Sequence, residues 1–226
     1  MIERALLSDL LEAAGVETRI VAPLAHYGEM LLETNRRFNV SGADTPEELL
    51  PHLVDSVSIA PYVQAPLADV GSGGGLPAIP LAIATGAPVT MVESTTKKAA
   101  FLEAVLSTLG LEGRVVPERA ELAARHSDLR EQFACATARA VSSAPTVLEL
   151  TLPFLRVGGV AVLQRGKMDD RERNAVADAA PMLGGEIADE VALDGDRRIL
   201  LIRKVSPTPQ RFPRRTGIPE KRPLCM

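Results

Sequence analysis

The chain has 226 residues and a mass of 24.1 kDa, and 46% of its residues are hydrophobic, which is enough for one domain with a substantial core. Its mean hydropathy is +0.09, and no apolar run approaches the ~18 residues of a membrane span. Two distant cysteines exclude a disulfide framework and a cysteine zinc site, and we expect no metal. The N-terminus lacks the pattern of a signal peptide, so we expect a cytoplasmic protein.

Charge is distributed unevenly along the chain. Residues 203–226 contain seven basic residues and one acidic residue, a net charge of +6, whereas the other 202 residues contain 18 basic and 28 acidic residues, a net charge of −10. An acidic body with a basic tail predicts that the tail meets a polyanion, and a merely solvated tail is the alternative. Five prolines in the last 20 residues predict an extended rather than helical tail over 206–226.

Residues 1–62 form a predicted N-terminal helical extension, in which leucines recur at helical spacing. Thr45-Pro46-Glu47-Glu48 predicts the start of a helix, with Thr45 as the N-cap and Glu48 closing a capping box. This helix contains His52, Asp55 and Ser56. Two roles stay open for these three residues, a contact with a binding pocket and a structural hydrogen-bonded cluster that fixes the helix to the sheet.

Residues 63–205 show strands alternating with helices. The predicted strands are 67–70, 89–92, 114–116, 133–139 and 160–164, and the predicted helices are 78–85, 96–109, 118–125 and 145–155. This alternation indicates βαβ units and a mostly parallel sheet. The segments 187–193 and 198–205 flank an Asp-Gly turn and predict an antiparallel hairpin at the end of the domain.

A glycine-rich loop follows the first predicted strand, in the sequence Asp69-Val70-Gly71-Ser72-Gly73-Gly74-Gly75-Leu76. Glycines let the backbone approach a ligand closely, and Glu93, at the end of the next strand, can accept both hydroxyls of a ribose. Leu76 replaces the third glycine of the dinucleotide fingerprint, and Asp69, expected at the mouth of the loop, would repel a pyrophosphate. The cationic S-adenosylmethionine suits such an acidic rim better, and a tight turn without a ligand is the alternative.

The loop belongs to a longer ordered set of motifs. Asp69-x-Gly71-x-Gly73-x-Gly75-Leu76-Pro77 is similar to the first motif of class I methyltransferases. The other motifs are His52-x-x-Asp55-Ser56, Glu93-x-x-x-Lys97-Lys98, Arg119-Ala120-Glu121, Arg139-Ala140 and Pro213-Arg214-Arg215-x-Gly217-x-Pro219-x-Lys221-x-Pro223-Leu224. From about residue 39 to 224 the chain resembles the RsmG/GidB family, bacterial enzymes that methylate N7 of one guanine in 16S ribosomal RNA.

The resemblance implies a class I α/β fold, Rossmann-like, with a seven-stranded and mostly parallel sheet whose last strand is antiparallel. It implies cofactor contacts at Gly71, Leu76, Glu93, Ser94, Thr95, Ala120, Glu121 and Arg139. It also implies that Arg139 borders the substrate pocket as a catalytic residue. Charge and the family pattern together suggest RNA contacts at Arg165, Lys167, Arg214, Arg215, Lys221 and Arg222. Arg165 stands where the family pattern has lysine, and the two residues are not interchangeable at a close contact.

The chemistry that the resemblance implies needs no general base. Guanine N7 has a free lone pair and no proton, so it can attack a sulfonium methyl directly once the two are aligned. Residues 138–141 read Ala-Arg-Ala-Val, without the Asn/Asp-Pro-Pro-aromatic element of exocyclic-amine enzymes or the Pro-Cys of C5-pyrimidine enzymes. Cys135 lies inside the predicted strand 133–139 and is expected to be a small buried hydrophobic residue rather than a nucleophile.

The expected partner is 16S ribosomal RNA or the small ribosomal subunit, and we expect a monomer that contacts neither DNA nor a membrane. Three alternatives remain at this point. The chain could be a methyltransferase of a small molecule or protein, or a non-enzymatic ribosome-assembly factor with an RNA-binding fold. An NAD-dependent dehydrogenase is disfavoured by Asp69 and Leu76, which do not suit a dinucleotide.

Overall fold

The computed structural model describes residues 2–139, 142–193 and 195–226. Its strands are β1 (Leu67–Val70), β2 (Val89–Val92), β3 (Gly113–Val116), β4 (Phe133–Arg139), β5 (Leu155–Arg165), β6 (Gly185–Ala192) and β7 (Arg198–Lys204). They form one sheet in the order β3-β2-β1-β4-β5-β7-β6. Strand β7 is antiparallel to both of its neighbours, and the other pairs are parallel. The predicted seven-stranded, mostly parallel sheet with an antiparallel last strand is confirmed.

The helices are α1 (Ile2–Ala13), α2 (Thr18–Asn35), α3 (Pro46–Ser58), α4 (Ala78–Thr85), α5 (Thr96–Leu109), α6 (Ala120–Ala123), α7 (Ala144–Thr151), α8 (Asp170–Met182) and α9 (Ile218–Lys221), and two 3₁₀ turns span Ala60–Tyr62 and Leu152–Phe154. The Thr45 N-cap of α3 is confirmed, since Thr45 Oγ1 accepts from the Glu48 N–H at 3.3 Å. None of the described helices is both long and apolar enough to cross a bilayer.

The predicted bounds match the structure for β1, β2, β4, α4 and α5, and differ elsewhere. Strand β5 begins five residues earlier than predicted, because the preceding helix ends in a 3₁₀ turn whose residues are all buried. Helix α8 was not predicted. Its start is marked by Asp169, whose side chain accepts from the Glu172 N–H at 2.8 Å. Ala140, Val141 and Asp194, which belong to the motifs above, lie outside the described residues.

Each face of the sheet is covered by its own buried layer. Leu67 and Met91 pack with the apolar faces of α1, α2 and α3 and with α4 and α5. Ala68 and Val92 pack with α7 and α8 on the other side, as the alternation of side chains along a strand requires. The N-terminal helices therefore share one core with the sheet. The domain boundaries at 62/63 and 205/206 stay predictions.

Residues 206–226 fold back onto the body of the protein. Lys204, fully buried at the end of β7, donates to Thr208 Oγ1 at 2.6 Å, and burial lowers the pKa of its ammonium group to about 8. Arg130 donates to the carbonyl of Thr208 at 2.7 Å and to that of Phe212 at 3.1 Å. The prediction of a wholly extended tail is wrong at α9, where Gly217 (φ +77°) reverses the chain and a helical turn follows.

Candidate active site

The strand order reverses between β1 and β4, and the glycine loop leaves β1 at this point. Ligands of open α/β sheets bind beyond the carboxyl ends of the strands at such a switch point. Two adjoining pockets lie there and share Gly71 and Glu93. The strand pocket, of about 190 Å³, is lined by Val70, Val92, Glu93, Ser94, Ala120, Glu121, Leu150 and Glu220 among others. The loop pocket, of about 260 Å³, is lined by residues 71–74 and by Val40, His52, Leu76, Glu93, Lys98 and Arg139 among others.

The structure brings the predicted cofactor residues together around these pockets. The predicted residues that line the strand pocket are Gly71, Glu93, Ser94, Ala120 and Glu121. Those that line the loop pocket are Gly71, Leu76, Glu93 and Arg139. Thr95 is not among the lining residues of either pocket, but its N–H donates to Glu93 Oε1 at 2.7 Å. The predicted residues thus surround one continuous site, and the role of each one stays a prediction.

The glycine loop is fixed by the N-terminal helices. The Tyr27 hydroxyl, fully buried on α2, donates to the Gly74 carbonyl at 2.7 Å. A Cβ atom added to Gly74 would lie 2.7 Å from the carbonyl oxygen of Val40, closer than packed atoms can approach. Gly75 has a φ of +98°, which side chains rarely allow. Sequence analysis missed Tyr27, because nothing in the chain links residues 47 positions apart.

Glu93 presents its carboxylate to both pockets. The side chain is 7% exposed, and its two oxygens accept from the N–H groups of Gly73 at 2.8 Å and Thr95 at 2.7 Å. These bonds fix the orientation of the carboxylate, and each oxygen can still accept another hydrogen bond. The arrangement suits a ligand with paired hydroxyl groups.

Asp69 does not lie at the mouth of the loop, as the sequence analysis expected. It is 1% exposed within β1, which is flanked in the sheet by β2 on one side and β4 on the other. Its Oδ1 accepts from Thr137 Oγ1 at 2.6 Å, and its Oδ2 has no hydrogen-bond partner. Burial raises the pKa of Asp69 to about 6. When ionised, this carboxylate places a negative charge two residues before Gly71, near the end of β1.

The raised pKa predicts a pH-dependent cost to folding. The folded protein holds the Asp69 proton up to about pH 6, whereas the unfolded chain releases it near 3.8, so stability falls as the pH rises between these values. We expect Asp69→Asn, which cannot ionise, to raise the free energy of unfolding by up to about 3 kcal/mol above pH ~6. The gain should shrink towards pH ~4. Urea denaturation across this range measures it, and a gain that is constant with pH would contradict the assignment.

Arg139 holds a cluster of residues from α3 at the end of β4. Its guanidinium lies 2.5 Å from His52 Nδ1 and 3.3 Å from Ser56 Oγ, and 4.0 Å from the carboxylate of Asp55. Burial, followed by the charge of Arg139, lowers the pKa of His52. A neutral imidazole can accept from the guanidinium through Nδ1. The cluster fixes helix to sheet and orients Arg139, so both readings of the α3 motif have structural support.

A third pocket, of about 320 Å³, lies beside Arg139, and we call it the arginine pocket. It is lined by Asp55, Arg139, Gln164, Arg165, Gly166, Leu193, Arg197 and Arg198. Arg139 lines both this pocket and the loop pocket. Arg165 donates to the Ser142 carbonyl and to Glu172 Oε1, each at 2.7 Å. The site thus joins two pockets that share Glu93 to a third pocket that is lined by four arginines and Asp55.

Comparison with known proteins identifies the family. Residues 20–200 match the model of the GidB family, described as rRNA small subunit methyltransferase G. The chain belongs to this family. Proteins called ribosomal RNA small subunit methyltransferase G are 41% identical in Rubrobacter xylanophilus (95% of this chain and 88% of the relative) and 37% identical in Geobacillus kaustophilus (95% and 96%).

Solved structures support the fold alone. A Burkholderia thailandensis 1,6-didemethyltoxoflavin-N1-methyltransferase with bound S-adenosylhomocysteine matches with a TM-score of 0.55 and 14% identity, over 80% of this chain and 90% of that chain. A ribosomal protein L11 methylase from Lactobacillus delbrueckii matches with a TM-score of 0.53 and 16% identity, over 70% and 80%. The class I methyltransferase fold is therefore confirmed for this member of the GidB family.

The basic residues suggested for RNA differ in their surroundings. Arg214 makes a two-pronged pair with Glu149, a fully buried carboxylate on α7, through Nε at 2.9 Å and Nη2 at 2.6 Å. Its guanidinium is thus held by the protein itself. Apart from Arg165 and Arg214, the candidates are exposed: Lys167, Arg215, Lys221 and Arg222. Sequence analysis missed Glu149, since an acid in an apolar helix gives no sign of a partner 65 residues away.

Cys135 lies in the middle of β4 and is completely buried. Burial raises the pKa of its thiol to about 12, which keeps the sulfur protonated at neutral pH. The expectation of a small buried hydrophobic residue is confirmed.

Proposed function

We propose that the protein transfers the methyl group of S-adenosylmethionine to N7 of a specific guanine in 16S ribosomal RNA. The observation that carries this proposal is the position of Arg139, which lines the loop pocket on one side and the arginine pocket on the other. The Glu93 carboxylate on the first side suits a cationic cofactor, and the four arginines that line the second suit a nucleic acid. Membership of the GidB family supports the same reaction.

The residues present fit S-adenosylmethionine, which when bound supplies an electrophilic methyl group on a sulfonium centre. The carboxylate of Glu93, which lines both pockets, provides negative potential for the ammonium and sulfonium groups, and the buried carboxylate of Asp69, two residues before Gly71, adds to it when ionised. Glu93 would accept from the ribose hydroxyls, and the apolar walls of the strand pocket, Val70, Ala120 and Leu150, suit the adenine ring. The glycine loop lets the backbone approach the methionine portion closely.

The chain's own residues contribute positioning and electrostatics to this reaction rather than proton removal. Guanine N7 loses no proton when it is methylated, so no general base is required. His52, the nearest titratable group beside Arg139, already uses Nδ1 to accept from that guanidinium. Its lowered pKa keeps it neutral at physiological pH. We therefore propose that Arg139, which lines both the loop pocket and the arginine pocket, orients the substrate base relative to the cofactor.

We propose that the protein acts in the cytoplasm as a monomer, with 16S RNA or the small subunit as its partner. Mass-spectrometric mapping of 16S RNA from cells with and without the protein tests the proposal. We expect one 7-methylguanosine that is present only with the protein. A methyl group on another atom would contradict the N7 assignment, and no difference at all would contradict the RNA substrate.

The assignment of Glu93 to the cofactor has its own test. We expect Glu93→Ala to weaken S-adenosylmethionine binding by about 1–3 kcal/mol, because hydrogen bonds between a carboxylate and two hydroxyls are lost. Isothermal titration calorimetry measures the change. Glu103→Ala is a matched control on the exposed side of α5 and should bind the cofactor as the wild type does. Unchanged affinity in Glu93→Ala would remove this residue from the site.

A further inference from the structure

The arginine pocket collects buried polar atoms that lack partners. Five such side-chain atoms occur among the described residues, and three are on residues that line this pocket: Oε1 of Gln164, Nε of Arg165 and Nε of Arg198. Buried polar groups are nearly always hydrogen-bonded, because leaving one unpaired is costly. A pocket with one unpaired acceptor and two unpaired donors has the pattern of a site that a ligand completes.

Gln164 is held in one orientation. Its side-chain Nε2 donates to the carbonyl of Asp55 at 2.8 Å and to the carboxylate of Asp55 at 2.9 Å. A flipped amide would place Oε1 against both acceptors, so Oε1 is the atom left without a partner. Asp55 is itself held by Arg197 at 3.1 Å. Gln164 is 9% exposed, and it is the register partner of Arg139 across β4 and β5.

We propose that the arginine pocket binds the target guanine and that Gln164 Oε1 accepts a hydrogen bond from the 2-amino group of this base. This inference rests on the proposed function. The 2-amino group is the guanine donor farthest from N7, so a base held there can turn N7 towards Arg139 and the loop pocket. Inosine and adenine both lack this donor, because C2 of each base carries only a hydrogen atom. Gln164 is therefore a specificity-determining residue.

The unpaired arginine donors fit the same ligand. Nε of Arg165 and Nε of Arg198 can donate to guanine O6 or to a phosphate oxygen of the same nucleotide. A phosphate group alone would satisfy these two donors but leave the Gln164 acceptor unpaired. It would also bring negative charge close to Asp55. The combination of acceptor and donors therefore favours a guanine nucleotide over an isolated anion.

Atomic substitution in the substrate tests the inference. Small subunits are reconstituted with guanosine or inosine at the methylated position, and single-turnover methyl transfer is measured with wild-type protein. Inosine keeps N7 and O6 and lacks only the 2-amino group. We expect transfer to inosine to be slower by about tenfold or more, as for other lost hydrogen bonds that leave a buried partner unsatisfied. Equal rates would overturn the assignment without any variant being needed.

Gln164→Leu completes the test. We expect it to slow transfer to guanosine and to bring the guanosine-to-inosine ratio to within about twofold of unity, because the acceptor is gone. Gln132→Leu, at an exposed position just before β4, is the matched control and should keep the wild-type ratio. A Gln164→Leu ratio equal to that of the wild type would overturn the inference and point to phosphate recognition. No transfer by the wild type to guanosine would overturn the proposed function as well.

Discussion

Replacing Arg139 with alanine should lower the single-turnover rate of methyl transfer by about 10²–10³-fold, the range found when one preorganised donor is removed from an active site. Arg139 lines both the loop pocket and the arginine pocket. Its loss also leaves the His52 and Ser56 acceptors without their donor, and it removes a cation facing Asp55. The rate is measured on small subunits with saturating cofactor.

Two further variants separate the role of Arg139 from a general effect of charge. Arg139→Lys should not restore the rate. The planar guanidinium contacts His52 and Ser56 through two separate nitrogens, and a single ammonium group cannot reproduce this geometry. Arg156→Ala removes an exposed arginine at the start of β5 and should retain wild-type activity. An Arg139→Ala rate within threefold of the wild type would exclude the residue from the reaction.

The sequence predicts elements best where local chemistry marks their ends. Gly86 and Gly110 follow α4 and α5 as left-handed C-caps, and the predicted bounds of both helices match the structure. Helix α8 shows that a local signal can be overlooked. Its N-cap Asp169 and the buried spacing of Ala175 and Ala179 were both readable from the chain.

Within the candidate site, the sequence predicts best the residues that come directly after a strand. Gly71 and Glu93 end neighbouring strands, so the topology alone brings them together. The pairs that shape the rest of the site are distant in the chain. Gln164 and Asp55 are 109 residues apart, and one sequence contains no periodicity that links them. Their pairing arises from packing α3 against the ends of β4 and β5, which is a property of the folded core.

Arg214 is the residue for which structure and charge pattern suggest different roles. The basic tail predicts a contact with RNA, yet Arg214 bonds a carboxylate with no exposed surface. Removing one partner of a buried ion pair leaves an uncompensated charge, which typically costs about 3–5 kcal/mol. We expect Arg214→Ala to lower the free energy of unfolding by about this amount. Urea denaturation at neutral pH measures the loss.

The double variant Glu149→Leu/Arg214→Met is the thermodynamic control. It removes both charges and keeps most of the volume, so it should be more stable than Arg214→Ala alone. This result would show that the cost comes from the unpaired Glu149 carboxylate rather than from a misfolded tail.

Arg215 provides the matching test of the RNA role, because it is the exposed neighbour of Arg214. Arg215→Ala should change the free energy of unfolding by less than about 0.5 kcal/mol, as surface substitutions usually do. It should also make the plot of log affinity for RNA against log salt shallower by up to about one unit. If Arg214→Ala instead flattened this slope and left stability unchanged, the ion pair with Glu149 would not anchor the tail. With the expected results, the two neighbouring arginines have different roles: Arg214 attaches the folded tail to α7, and Arg215 contacts the phosphates of the RNA.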